Sequence, residues 1–140
     1  MPQTINILFL AAEAEPFVKV GGLGDVAGTL PRALRALSND ELKLDIRLAL
    51  PYHSVIRSEG LRAVGIYSIP RGKTEVQVEA FEGVLDGMPV YFLNGAPIRS
   101  SGSVYSSNSK LDAEKYAFFS LAALELPRQI NWEPNIIHAN

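Results

Sequence analysis

The stretch that most constrains this chain is Pro16-Phe17-Val18-Lys19-Val20-Gly21-Gly22-Leu23-Gly24-Asp25-Val26. It follows the run Ile5-Asn6-Ile7-Leu8-Phe9-Leu10-Ala11-Ala12, which reads as a strand over Asn6 to Ala12, apolar on both faces as a helix-covered parallel strand is. It leads into Leu23, Val26, Ala27, Leu30, Ala33, Leu34 and Leu37, near helical spacing. A strand, a glycine-rich loop and a helix in that order predict an α/β fold. Glycines let backbone N–H groups approach a ligand. A helix N-terminus adds orphan donors and a favourable dipole. Lys19 adds a full positive charge, so Lys19, Gly21 and Gly22 are candidates to bind a phosphate.

Glycine in a strand-to-helix turn does not by itself make a site, so the spacing has to decide. No G-x-x-x-x-G-K-[ST] is present. The dinucleotide fingerprint G-x-G-x-x-G/A fits Gly22, Gly24 and Ala27, but it belongs directly after the strand. Here Glu13 to Gly21 intervene, and the second strand ends in Ala49-Leu50-Pro51-Tyr52 with no acid for a ribose. The dinucleotide reading is rejected. The loop from Glu13 to Gly22 is long for a βα connection, usually about two to six residues, and long loops at strand C-termini hold ligands. Glu13 and Glu15 within it read as solvated acids.

The 140 residues suffice for one domain with a core. A net charge of −2 gives no basic surplus for nucleic acid. Cysteine is absent, which excludes disulfides and thiolate metal sites, and two histidines make a zinc site built from histidine alone implausible. No apolar run is long enough for a membrane span, and the N-terminus lacks the features of a signal or transit peptide. The expected location is the cytoplasm.

Along the chain, the first helix is predicted over Leu23 to Ser38, with a kink or break at Pro31. Asp25 falls in its first turn, where a carboxylate suits the dipole; alternatively it faces the cleft and meets a ligand. Leu42 to Leu50 is the second strand, and His53 beyond it reads as a surface residue. Leu61 to Pro70, Thr74 to Phe81 and Met88 to Leu93 read as strands, with turns at Gly72 and at Asp86-Gly87, the latter a strong hairpin signal. A β-hairpin region thus interrupts the α/β alternation, with Val90 to Leu93 assigned to the main sheet. Asn94 to Lys110, rich in Ser, Gly and Asn, reads as a mobile loop. The second helix spans Asp112 to Leu126, apolar nearly all round and stopped by Pro127. Ile136-Ile137-His138-Ala139 begins a last strand.

The run Ala11-Ala12-Glu13-Ala14-Glu15-Pro16-Phe17-Val18-Lys19-Val20-Gly21-Gly22-Leu23 closely resembles the opening of bacterial glycogen synthases and plant starch synthases, with their K-x-G-G-L and a preceding A-E-x-x-P-like stretch. Gly28-Thr29-Leu30-Pro31-Arg32-Ala33-Leu34 is similar to the family's G-A-L-P-x-A-L, and Pro134-Asn135-Ile136-Ile137-His138-Ala139-Asn140 resembles its P-D-x-V-H-A-H.

The resemblance implies the Rossmann-like N-terminal domain of a GT-B glycosyltransferase, mainly parallel, with a nucleotide-binding C-terminal domain outside these 140 residues. It implies retaining transfer of glucose from ADP-glucose, a substrate rather than a cofactor, to the non-reducing end of an α-1,4-glucan. Lys19, Gly21 and Gly22 would then bind the donor, while His138 and Asp25 position the sugar. No metal, membrane or nucleic-acid partner is implied, and the isolated piece is expected to be inactive. One departure stands out: against the family's D-N-x-x-R-F, Lys115-Tyr116 takes the place of Arg-Phe, and Leu111 then falls where the family has its aspartate. Asp112 either substitutes by a one-residue shift or serves the helix start. Two rivals remain, another GT-B sugar-nucleotide transferase such as sucrose synthase, and a non-catalytic domain that binds glucan or a partner.

Overall fold

The computed structural model describes residues 1–140. Strand β1 (Gln3–Leu10) is followed by helix α1 (Gly22–Arg35) and strand β2 (Leu42–Pro51). Three strands come next, β3 (Arg62–Arg71), β4 (Thr74–Leu85) and β5 (Met88–Asn94). The short helix α2 (Ala96–Arg99), the long helix α3 (Ser109–Gln129) and strand β6 (Ile136–Ala139) complete the chain. All six strands form one sheet in the order β3-β4-β5-β2-β1-β6.

β1 is parallel to both β2 and β6, and β2 is parallel to β5. β3 and β4 continue the same sheet in antiparallel pairing from β5. The β-rich region read from the sequence is therefore the antiparallel end of the main sheet rather than a separate projection. Its turn at Asp86-Gly87 has φ of 50° and 80°, the left-handed pair that a tight hairpin requires.

Alternation along the strands divides the core in two. Leu8, Leu10, Tyr91 and Leu93 face α3, where they meet Phe118, Phe119, Ala122 and Leu126. Phe9, Ala11, Val90 and Phe92 face the other way, with Ala27 of α1 and Val18 of the glycine loop. Apolar residues on both faces of β1 and β5 follow from this burial on both sides.

Three local expectations are corrected. α1 does not break at Pro31: Pro31 is buried with Ala27 and Gly28, and this packing outweighs the one backbone bond that proline cannot donate. α3 likewise runs through Pro127 to Gln129. It is also not buried all round, since Leu121 and Leu124 are exposed. The sheet covers only one side of a helix.

Candidate functional site

The connection from β1 to α1 is built around Glu13. The side chain is 1% exposed, not the solvated acid expected of a loop carboxylate. Its Oε2 accepts from the Val20 N–H at 2.7 Å, and Oε1 accepts from Gly21 N–H at 3.0 Å and Gly24 N–H at 2.9 Å. Helix N-termini leave amides without partners, and a buried carboxylate needs several donors, so each satisfies the other. Glu15, by contrast, is exposed as expected. The N–H groups of Gly22 and Leu23, first in α1, have no acceptor within the chain. Of the two glycines named as phosphate binders, Gly21 thus has its amide engaged by Glu13, while the Gly22 amide is free.

Lys19 and Asp25 face each other across this loop. Nζ lies 2.8 Å from Asp25 Oδ1, with side chains 45% and 53% exposed. The hydrogen bond with Asp25 raises the Lys19 pKa, and the same contact lowers that of Asp25. Both are half open to solvent and to a ligand. Close packing holds the loop. A Cβ at Gly24 would stand 3.0 Å from Lys19 Cγ, and one at Gly28 would stand 2.3 Å from the Glu15 carbonyl oxygen. Glycine at position 28 is therefore what allows α1 to lie against the loop.

Beside this junction, a cleft of about 470 Å³ opens at the carboxyl ends of β1 and β6. Its lining includes Ala12, Leu23, Tyr105, Asp112, Tyr116 and Asn140. The strand order reverses here: β2 lies on one side of β1 and β6 on the other, and such switch points are where open α/β sheets bind ligands. His138 is on β6, next to the cleft-lining Ala139, and its ring stacks on Phe9 with centroids 4.4 Å apart. Lys19, Asp25, Gly21 and Gly22 are grouped on one loop and helix start; His138 stands on the neighbouring strand.

The far wall comes from the loop after α2. It is not loose, because Lys115 of α3, 1% exposed, reaches into it. Its Nζ donates to the Ser103 carbonyl at 2.6 Å and, at 3.3 Å, to Ser101 Oγ and the Val104 carbonyl. Burial pushes the Lys115 pKa down, with Asp112 acting in the other direction. Asn108 caps α3 by accepting from Leu111 N–H at 3.1 Å. Asp112 accepts from Ser106 N–H at 3.0 Å and Oγ at 2.9 Å, which lowers its pKa, so it ties this loop to the helix start and faces the cleft as well.

His53 is 3% exposed, which corrects its reading as a surface residue. Nε2 lies 2.7 Å from the Ala12 carbonyl and Nδ1 has no partner. Burial brings its pKa down to about 4, leaving the ring neutral near pH 7. Glu13, His53 and Lys115 are buried polar supports of this region that sequence reasoning misses. The signals were a basic residue in the family's arginine position and a histidine just past a strand's C-terminal end. No three His, Asp or Glu side chains gather where they could hold a metal ion.

Residues 6–140 match the family described as the starch synthase catalytic domain. A glycogen synthase of Clostridium botulinum (strain Alaska E43 / Type E3) is 37% identical over 139 residues, covering 97% of this chain and 28% of the relative. One from Streptococcus uberis is 33% identical, again over 97% of this chain and 28% of the relative. Among solved structures, the catalytic domain of starch synthase IV from Arabidopsis thaliana, bound to ADP and acarbose, superposes with a TM-score of 0.84 at 28% identity. That match covers 98% of this chain and 28% of the plant chain. The chain thus spans about 28% of the length of the curated relatives it matches.

Proposed function

This chain belongs to the starch synthase catalytic domain family, and from that premise we propose that it forms the N-terminal, donor-facing half of a retaining GT-B glycosyltransferase. The reaction is transfer of glucose from ADP-glucose to the non-reducing end of an α-1,4-glucan, with a C-terminal domain of the same enzyme completing the site. The length of the relatives supports that second domain. A cytoplasmic location goes with this reading. No helix here is long and apolar enough to cross a membrane.

The observation that carries the proposal is the junction between loop and helix. Two amides without acceptors, Gly22 and Leu23, start α1; Leu23 lines the cleft, and the Lys19 ammonium pairs with Asp25 in the same first turn. Leaving of a nucleoside diphosphate places negative charge on its phosphates, and preorganised donors stabilise that charge. Lys19 is proposed to carry the cation, with Asp25 holding it in place and meeting the sugar when Lys19 turns to the phosphates. His138 is proposed to position the donor sugar, its ring fixed by Phe9 beneath it. The plant relative bound to ADP and an oligosaccharide analogue supports donor and acceptor alike. The rival, a glucan- or partner-binding domain without transfer, draws support from Leu111 alone.

The test is Lys19→Ala in the whole enzyme, assayed for glucosyl transfer from ADP-glucose to glycogen. Turnover or donor affinity should fall by about 100-fold or more, the cost of losing one preorganised charge-stabilising group. Thermal stability should change little, since the side chain is half exposed. Unaltered kinetics overturn the reading. The 140-residue chain by itself should show no transfer, because closing a cleft between two domains completes such sites.

A further inference from the structure

We propose that Glu13 is the positioning residue of this site: its carboxylate fixes where Lys19 stands and selects which amides remain for an anion. The catalytic consequence rests on the transfer reading above; the geometry does not. An ordinary cap comes from the residue just before the helix and satisfies one amide of the first turn. Glu13 comes from the end of β1 and binds on both sides of the junction, Val20 and Gly21 in the loop and Gly24 in the helix. It therefore clips the residues following Lys19 against the first turn of α1. Within that clip the Lys19 backbone packs on Gly24, where a Cβ would stand 3.3 Å from Lys19 Cα. The outcome is the 2.8 Å contact between Lys19 Nζ and Asp25.

Both carboxylate oxygens are used, and neither a neutral nor a shorter side chain can replace them. Glutamine would turn an NH₂ toward amide N–H groups that need an acceptor. Aspartate keeps the charge but falls short by one methylene. With Glu13 occupying the Val20, Gly21 and Gly24 amides, those of Gly22 and Leu23 at the start of α1 remain free, and Leu23 lines the cleft. A phosphate is thereby directed to the first turn, beside Lys19, and kept out of the loop interior.

Three readouts on Glu13→Gln test this. Hydrogen exchange at the Val20, Gly21 and Gly24 amides, measured by NMR without ligand, should accelerate about tenfold or more, as expected for losing a charge-assisted hydrogen bond. Acylation of Lys19 by a neutral active ester should speed up severalfold as its pairing with Asp25 is lost. In the whole enzyme, transfer should drop by about 100-fold, the scale of a small misplacement of a reacting group. The double variant Glu13→Gln/Lys19→Ala should then lose clearly less than the product of the two single losses, because part of the Glu13 effect passes through Lys19. Multiplying effects in the double variant, or unchanged exchange and acylation, overturn the proposal. If the unsubstituted enzyme performs no transfer, the functional reading fails, while exchange and acylation still decide the role of Glu13. Should Glu13→Gln fail to unfold cooperatively, Glu13→Asp takes its place with the same expected directions.

Discussion

Two long connections frame the cleft, and opposite buried charges hold them. After β1, the Glu13 carboxylate collects backbone N–H groups; after α2, the Lys115 ammonium collects a hydroxyl and two carbonyl oxygens. The sign of each charge follows from what the backbone leaves unpaired. A chain entering a helix presents donors, so an acceptor fits; a loop folded with its carbonyls inward presents acceptors, so a cation fits. Of the three amides bound by Glu13, those of Val20 and Gly21 are part-buried and that of Gly24 is buried; of the three Lys115 contacts, two are buried and the one to Ser103 is part-buried. Water can replace part of what Glu13 does and little of what Lys115 does. The first connection is accordingly the more open of the two, and the second fixes a wall.

The sharpest way to break that contrast is to remove each charge. Lys115→Ala should cost about 4 kcal/mol, from a cavity and stranded acceptors, and should exceed the loss in Glu13→Ala. Chemical denaturation measures both, and a larger loss for Glu13→Ala would reverse the comparison. Steric closure of the first connection comes next. Gly28→Ala places a methyl group against the Glu15 backbone and should cost about 3 kcal/mol in the same experiment. A neutral result would mean that α1 shifts freely away from the loop.

Between the two connections lies His53, against the Ala12 carbonyl, with Lys115 disfavouring its charged form and Glu13 favouring it. Its pKa is near 6.5 unfolded and about 4 folded, so in that window the unfolded chain holds the extra proton. Stability should be complete above pH 6.5 and decline as pH falls toward 4, by at most about 3 kcal/mol. Urea midpoints at pH 7, 5 and 4 should show this slope, and His53→Gln should flatten it. The smallest effect belongs to a connection that needs no buried charge. Gly87→Ala, at φ 80° in the turn from β4 to β5, should lower stability by about 1 kcal/mol through local strain, with cleft chemistry unchanged.

Periodicity and turn chemistry are local, so they could be read along the chain. The apolar runs of β1 and β5, the helical spacing after Gly22 and the Asp86-Gly87 turn predicted α/β architecture with a largely parallel centre, and the structure has it. Grouping of Lys19, Gly21, Gly22 and Asp25 was also visible, because these residues are neighbours in sequence. The family motif at the first loop was contiguous for the same reason.

What required the folded chain was the balance between local rules and packing. Pro31 and Pro127 stop helices when burial does not oppose them; here each sits among buried neighbours and the helix continues. Glu13, His53 and Lys115 are ordinary polar residues in sequence. They became buried supports because the folded chain turns toward them orphan amides, the Ala12 carbonyl and the Ser101 to Val104 loop. Which backbone groups lack partners is a property of the assembled chain, and a buried charge is tolerated only where those groups converge on it. Local pattern therefore set the elements and the glycine loop with its lysine, while the three-dimensional arrangement chose which charges could be buried around the cleft.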